Sequence, residues 1–112
     1  MTLPHAHLAL VEREKIAGYL LNPAHPDNGG KASFFFSLGF RVDDWPLLAA
    51  AFRELAMTAS VVRSLDSPHG HKYILDGRIG TPSGKTSGVR SVWIVDAGRE
   101  APRLVTAYPK PE

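Results

Sequence analysis

Histidine, lysine and hydroxyl side chains in this sequence are of the types that metal-free phosphate chemistry requires. His71 is followed by Lys72 at the start of a β-rich segment. Histidine, with an ordinary pKa of about 6.5, accepts and donates protons at neutral pH. RNA cleavage without a metal needs a base for the 2′-hydroxyl, an acid for the departing 5′ oxygen, and cations around the phosphorane between them. The sequence therefore makes His71 a candidate acid or base, the alternative being an ordinary exposed turn histidine.

Further candidates for the same chemistry are spread along the chain. Lys31 and Arg90 are the candidate catalytic cations, and Thr106 and Tyr108 are candidate hydrogen-bond partners of a phosphate. Lys72 is a candidate substrate-binding residue. These types suit the reaction because the phosphorane carries extra negative charge that positive and hydrogen-bonding groups stabilise.

The first loop, 24–30, adds a possible anion site together with Lys31, which follows it. It ends in Asn28-Gly29-Gly30-Lys31, where a helix is predicted to begin, and His25 lies six residues before Lys31. Free N–H groups at a helix start attract anions, so His25 is a candidate substrate-binding residue; the alternative is a solvated lysine and a turn histidine. Neither this loop nor 80–86 fits a nucleotide-binding phosphate loop, because the first lacks a hydroxyl after its lysine and the second is one residue short.

Metal and cofactor sites are not predicted. The pairs His5/His7 and His69/His71 could each supply two ligands, but a zinc site needs three or four and no others stand nearby in sequence. The chain has no cysteine, which excludes disulfides, cysteine-ligated zinc and thiol catalysis. We expect neither a metal nor a cofactor.

Three helices are predicted in the N-terminal half to support these side chains. They cover 12–21, 31–38 and 45–59, the last with an apolar stripe at helical spacing. Pro23 ends the first helix, and Gly39 ends the second in the left-handed conformation. Pro46 falls in the first turn of the third, where Asp43 or Asp44 is expected to cap the free N–H groups.

Four strands are predicted in the C-terminal half, at 61–66, 71–79, 89–95 and 103–108, joined by short turns. Alternation in the last strand places Leu104 with Thr106 and Tyr108 on one face. A run of helices followed by strands with short connections indicates an α+β fold, with three N-terminal helices packed on one face of a four-stranded antiparallel β-meander. The other face would be open for binding.

Length and composition fit one domain over residues 1–112, with 1–10 its expected flexible part. The net charge of +2 is uneven: residues 1–59 carry −1 and residues 60–112 carry +3. This excess suits an anionic partner such as RNA, the alternative being a chance scatter of surface charges. The longest apolar run, 45–52, has eight residues, whereas a membrane span needs about twenty. Without a signal-peptide pattern at its N-terminus, the protein is expected to be cytoplasmic, or secreted only as part of a larger toxin.

Several strings in the sequence resemble an uncharacterised bacterial domain family of about this length. They span nearly the whole chain: Gly18-Tyr-Leu-Leu-Asn-Pro23, His25-Pro26, Lys31-Ala-Ser-Phe-Phe35, Leu38-Gly-Phe40, Val92-Trp-Ile94 and Pro102-Arg-Leu-Val-Thr-Ala-Tyr-Pro109. The order of elements and the closing strand are also similar to the ribonuclease toxins of the barnase, EndoU, colicin and RelE group. That resemblance implies metal-independent RNA cleavage, with a cognate antitoxin or immunity protein as partner. Barnase-type enzymes use a catalytic glutamate, and none lies in these strands, which makes His71 or His25 the expected base.

The leading hypothesis from sequence is a metal-independent ribonuclease-like domain of toxin type, which cleaves RNA by 2′-hydroxyl attack. The alternatives are a non-catalytic protein-interaction domain, immunity-like or adaptor, and a degenerate toxin fold that has lost catalysis. Phe36 supports the interaction alternative, because it points away from the predicted stripe of Phe35 and Leu38 and would expose apolar surface.

Overall fold

The structure is a computed structural model that describes residues 1–111. It confirms the α+β fold. Short helical segments form the N-terminal half, and a four-stranded sheet forms the C-terminal half. The helices are α1 (Arg13–Lys15), α2 (Lys31–Ser37) and α3 (Trp45–Thr58). The strands are β1 (Ser60–Ser67), β2 (Gly70–Gly80), β3 (Thr86–Asp96) and β4 (Arg103–Pro109).

The first predicted helix is present but is only in part α-helical. After the single turn of α1, the segment Ile16–Leu20 is a π-helix, and the N–H of Leu21 donates to the carbonyl of Ile16 at 2.8 Å. This wider turn buries Ile16 and Leu20 and leaves Tyr19 half-exposed at its side. π-Helical turns are rare in proteins as a whole, and a large share of those that occur lie at functional sites.

One predicted helix end is confirmed and one predicted helix cap is wrong. Gly39 follows α2 with φ of 97°, the left-handed conformation that was predicted. The predicted cap of α3 is wrong, because no side-chain capping hydrogen bond forms at Asp44. Val42–Asp44 instead forms a 3₁₀ turn in which the N–H of Asp44 donates to the carbonyl of Arg41. Asp43 and Asp44 therefore lie exposed in the turn that leads into the helix.

The sheet is an antiparallel meander with strand order β1-β2-β3-β4, as predicted. Two interruptions of register bend it, between Val61 and Arg63 against β2 and between Val92 and Trp93 against β4. The second corrects the predicted faces of β4, because Leu104 and Ala107 are the buried residues rather than an alternating set. One extra residue in a strand shifts every side chain that follows it to the other face.

The helices cover one face of the sheet. Leu75, Trp93 and Leu104 contribute that face to the core, against Phe35 and Phe52 from the helices. The helical layer lies close to the sheet at Gly77, where an added Cβ would lie 2.9 Å from the Cβ of Ala59. The absence of a side chain there lets the end of α3 lie directly on β2.

The N-terminal segment, residues 1–10, contacts the two edge strands β1 and β4. The N–H of Val61 donates to the carbonyl of Met1 at 2.8 Å, and Leu3 is 3% exposed within the core. Leu10 forms a parallel bridge with Arg103 at the outer edge of β4. These contacts hold residues 1–10 against the fold. Within residues 1–111, none of the helices has the length and apolar character of a membrane span.

The opposite side of the sheet, here called the uncovered face, presents the residues that alternate with the core set. Residues directly opposite each other on antiparallel strands share a face. The pairing therefore gives rows across the strands, of which the clearest is Asp76–Arg90–Tyr108. The adjacent row is Ile74–Val92 in the two central strands.

Candidate active site

A groove of about 750 Å³ runs along the outer edge of β4, between that strand, the first helical segment and the 22–30 loop. We call it the Tyr19 groove. It is lined by residues from all three elements: Glu12, Glu14, Lys15, Gly18, Tyr19, His25, Asp27, Arg103, Val105 and Thr106. It therefore collects parts of the chain that are as much as 94 residues apart in sequence.

Tyr19 is the centre of this groove. Its hydroxyl and that of Thr106 hydrogen-bond at 2.8 Å, which ties the π-helical segment to the edge strand. The His25 ring meets the Tyr19 ring edge-on, with ring centroids 4.9 Å apart. The ammonium groups of Lys15 and Lys31 lie 5.2 Å and 5.7 Å from the centroid of the Tyr19 ring. The Tyr19 side chain thus contacts two ammonium groups and an imidazole through its ring, and a hydroxyl through its own OH.

The loop that carries His25 is held in place by Asn28, which is 3% exposed. Its amide nitrogen donates to the carbonyl of Tyr19 at 2.7 Å, and its amide oxygen accepts from the N–H of Ala32 at 2.9 Å. One side chain thereby joins the end of the π-helical segment to the first turn of α2. Gly29 and Gly30, with φ of 61° and 88°, turn the chain from this residue into the helix.

His25 and Lys31 are both oriented by the backbone of the same loop. The N–H of Asp27 donates to Nδ1 of His25 at 3.1 Å, which leaves Nε2 as the ring nitrogen that can meet a ligand. The Lys31 ammonium donates to the carbonyl of Asn28 at 3.1 Å and lies toward Tyr19. Both side chains are half-exposed, and His25 lines the groove.

Acidic residues and an ion pair complete the groove. Glu12, Glu14 and Asp27 contribute carboxylates to its lining. The Glu14 carboxylate lies over Gly18, where an added Cβ would be 2.6 Å from Oε2. Arg103 binds both carboxylate oxygens of Asp96, with Nε–Oδ2 at 2.7 Å and Nη2–Oδ1 at 3.0 Å. These hydrogen bonds hold the pKa of Asp96 below its ordinary value and raise the pKa of Arg103.

Of the seven residues predicted from sequence, three lie together at this groove. His25 and Thr106 line it, and Lys31 reaches the Tyr19 ring from its side. Their grouping could not be predicted from sequence, because they come from a loop, a helix start and the last strand.

The other four predicted residues lie elsewhere. His71 stands at the end of the β1–β2 hairpin, where its Nδ1 hydrogen-bonds Asp66 and its ring tilts against Tyr73 with centroids 4.7 Å apart. Lys72, on the next position of β2, belongs to the uncovered face.

Arg90 and Tyr108 are neighbours on the uncovered face. Arg90 binds Asp76 with Nε–Oδ1 at 2.7 Å and Nη2–Oδ2 at 2.8 Å. The hydrogen bonds from Arg90 lower the pKa of Asp76, and the same pairing raises the pKa of Arg90. Because its guanidinium already binds a carboxylate, Arg90 is less available to a substrate phosphate than Lys31 is.

Sequence reasoning missed Tyr19, Lys15 and Asn28. The sequence pattern indicates Tyr19 and Lys15 only as part of a helix, although they stand four residues apart and so share one helical face. It indicates Asn28 only as a turn former. A polar residue in a glycine-rich loop gives no sign that it will be buried.

No group of three or more His, Asp or Glu within residues 1–111 is close enough to hold a metal ion. Histidine and lysine side chains, together with carboxylates, are the groups this groove offers to a bound molecule. Such a set can exchange protons and stabilise an anion.

The fold and the groove define the class: a small α+β domain with a polar groove at the edge of an antiparallel sheet. Within this class the chain belongs to the family described as a domain of unknown function (DUF6883), which its residues 2–111 match. The sequence resemblance to an uncharacterised family spanning nearly the whole chain is confirmed to that extent.

Among solved structures, the fold is similar to a chain of a contact-dependent growth inhibition toxin–immunity protein complex from Klebsiella pneumoniae 342. The TM-score is 0.72 at 21% sequence identity, over 96% of this chain and 97% of that chain. No curated protein matches the sequence.

Proposed function

We propose that this domain is a metal-independent ribonuclease of toxin type and that the Tyr19 groove is its active site. The observation that carries the proposal is the grouping of His25, Lys31 and Thr106 around Tyr19. The fold shared with a chain of a toxin–immunity complex supports a toxin-type or an immunity-type role, and this support is by analogy of fold.

The groove residues can be assigned to the steps of RNA cleavage. The 2′ oxygen forms a bond to phosphorus while the bond to the 5′ oxygen breaks, which leaves a 2′,3′-cyclic phosphate and a 5′-hydroxyl. Protonation of His25 at Nδ1 replaces the hydrogen bond that this atom accepts from the N–H of Asp27. The imidazolium then gives its Nε2 proton to the departing oxygen, and one of the lining carboxylates takes the proton of the 2′-hydroxyl. Lys15 and Lys31 stabilise the negative charge on the phosphorane.

This assignment gives the acid role to His25 in place of His71. His25 has cations, a hydroxyl and carboxylates within the same groove. His71 has Asp66 and Tyr73 as side-chain neighbours at the far end of the hairpin. General acid catalysis needs the donor and the charge-stabilising groups around one phosphate. The two histidines are therefore tested side by side.

The test is cleavage of total bacterial RNA by the purified protein in the presence of EDTA. Wild type is expected to give discrete cuts, and His25→Gln is expected to lose at least about a hundredfold of the rate, the usual contribution of a general acid. His71→Gln and the exposed His7→Gln serve as matched controls and are expected to cleave like wild type.

Three results would contradict the proposal. Loss of cleavage in His71→Gln with retention in His25→Gln would move the site to the hairpin. Cuts that persist in all variants would identify a contaminant. Complete absence of cleavage by the folded wild type would contradict the proposed ribonuclease activity and favour a degenerate toxin fold or an interaction domain.

One observation favours the interaction alternative. Phe36 and Val42 are 39% and 42% exposed and flank a second cavity of about 530 Å³ with Gly39 and Phe40. Exposed apolar surface of this kind marks contact sites for other proteins. If wild type cleaves no RNA, an immunity-like role becomes the better reading, and a Phe36→Ser/Val42→Ser double variant should then lose its protein partner.

A further inference from the structure

The uncovered face of the sheet is strongly basic. The strand pairing places six Lys or Arg residues there against two Asp, a formal excess of +4 where the whole chain has +2. The basic residues are Arg63, Lys72, Arg78, Arg90, Arg103 and Lys110. Both acids, Asp76 and Asp96, are bound to arginines of the same face. The surplus charge therefore belongs to the four remaining cations.

The side chains of two of these residues, Arg78 and Lys110, lie over a glycine at one end of the face. An ideal Cβ on Gly88 would lie 3.7 Å from Nη1 of Arg78 and 3.5 Å from Cβ of Lys110. Arg78 is held from behind, because its Nε and Nη2 donate to the hydroxyl and the carbonyl of Thr86 at 3.0 Å and 3.1 Å. Neither cation has an acidic partner within ion-pair distance in the described part of the chain. Because Gly88 has no side chain, Arg78 and Lys110 lie next to each other at this end of the face.

The remaining cations continue from this end along the face. The row Asp76–Arg90–Tyr108 is next to Arg78 and Lys110, Arg63 pairs with Ile74 in the following row, and Lys72 occupies the last. Successive rows are two residues apart, about 6.7 Å along a strand. Three of the four rows thus offer a cation without an acidic partner, over roughly 20 Å of sheet, and Arg90 in the remaining row is paired with Asp76. Charges spread over this length fit an extended polyanion better than they fit one cluster of carboxylates.

From these observations we infer that the uncovered face binds the sugar–phosphate backbone of a single-stranded nucleic acid. Arg78 and Lys110 hold one phosphate over Gly88, and Tyr108 and the apolar pair Ile74–Val92 contact bases or sugars between the cations. The far end of the face reaches Arg103, which also lines the Tyr19 groove, so a strand on this surface leads to the groove. The inference deepens the proposed ribonuclease function and rests on it for the identity of the natural strand.

Binding is measured with a labelled oligodeoxythymidylate about twelve nucleotides long, by fluorescence anisotropy over a range of salt concentrations. This probe lacks the 2′-hydroxyl, so binding is separated from cleavage. Each lost phosphate contact on a single strand lowers the salt slope by about 0.7. Arg78→Gln/Lys110→Gln is expected to bind about tenfold more weakly at low salt, with a slope reduced by about 1.4.

The matched control is Arg41→Gln/Arg53→Gln, which removes the same charge from exposed positions of the helical layer and is expected to bind like wild type. Equal binding by wild type and Arg78→Gln/Lys110→Gln would overturn the inference. So would displacement of the oligonucleotide by polyglutamate at equal charge concentration, which would identify a surface for an acidic protein. A wild type that binds the probe but cleaves no RNA would contradict the ribonuclease proposal alone.

Discussion

At the scale of single residues, the geometry of the proposed site depends most on Tyr19. Its ring borders two ammonium groups and an imidazole, and its hydroxyl bonds Thr106 on the opposite wall of the groove. A tyrosine contributes both an apolar ring and a polar tip, so it can pack and orient at once. Tyr19 is therefore assigned as a positioning residue whose removal should disturb the site more than the fold.

Tyr19→Phe tests this role. The variant keeps the ring and loses the hydrogen bond to Thr106, which should lower the free energy of unfolding by about 1 kcal/mol, a typical value for one bond. Thr106→Val should show a similar loss, and the double variant should lose little more, because both changes remove the same bond. Urea unfolding of the three variants measures the coupling, and fully additive losses would show that the bond contributes nothing.

At the scale of elements, the groove depends on how the π-helical segment, the 22–30 loop and α2 are joined. Asn28 makes that junction with hydrogen bonds to the backbone on both sides. A buried amide that satisfies carbonyls and an N–H at once fixes the path of the loop, and with it His25 and Lys31. The loop depends on these hydrogen bonds because its own residues bury little apolar surface.

Asn28→Ala is expected to destabilise the protein by about 2 to 4 kcal/mol, because it leaves buried backbone groups without partners. Amide hydrogen exchange should increase first in 22–31, ahead of the sheet. The chain's other asparagine, Asn22, is half-buried in the same loop and bonds Gly18 and Ala24, so Asn22→Ala is the control and should have a smaller effect. Equal losses of unfolding free energy in Asn28→Ala and Asn22→Ala would contradict the role assigned to Asn28.

At the scale of the whole molecule, one sheet serves two purposes. Its covered face carries the core through residues such as Leu75 and Trp93. Its uncovered face carries charges, of which Asp76 and Asp96 are neutralised by bidentate arginines. These two carboxylates have lowered pKa values in the folded state, so the folded state binds fewer protons than the unfolded state in acid.

Asp76→Asn tests the resulting pH dependence. The lowered pKa of Asp76 stabilises the fold fully above the ordinary aspartate pKa of about 3.9, and this stabilisation is lost as the pH falls through the folded value. The variant should be less stable than wild type by a constant amount from neutral pH to about pH 5, and the gap should narrow in stronger acid. Chemical unfolding at a series of pH values measures it. Asp43→Asn, at an exposed position, is the control, and a gap that does not narrow would contradict the assignment.

The elements of this fold could be predicted because their signals are local. The apolar stripe of α3, the glycine that ends α2 and the turn residues between strands each act through their own neighbours. The π-helical turn and the altered faces of β4 could not be predicted, because each depends on fitting one element against another. A single extra residue in a strand decides which side chains are buried.

The sequence by itself determined the order of helices and strands, the antiparallel meander and the presence of His25, Lys31 and Thr106 as chemically able side chains. Only the tertiary structure decided that these three meet at Tyr19 and that His71 and Arg90 lie apart from them, each beside its own aspartate. The reason is physical. Periodicity and turn chemistry are short-range, whereas a site made from a loop, a helix start and an edge strand is set by packing between residues far apart in the chain.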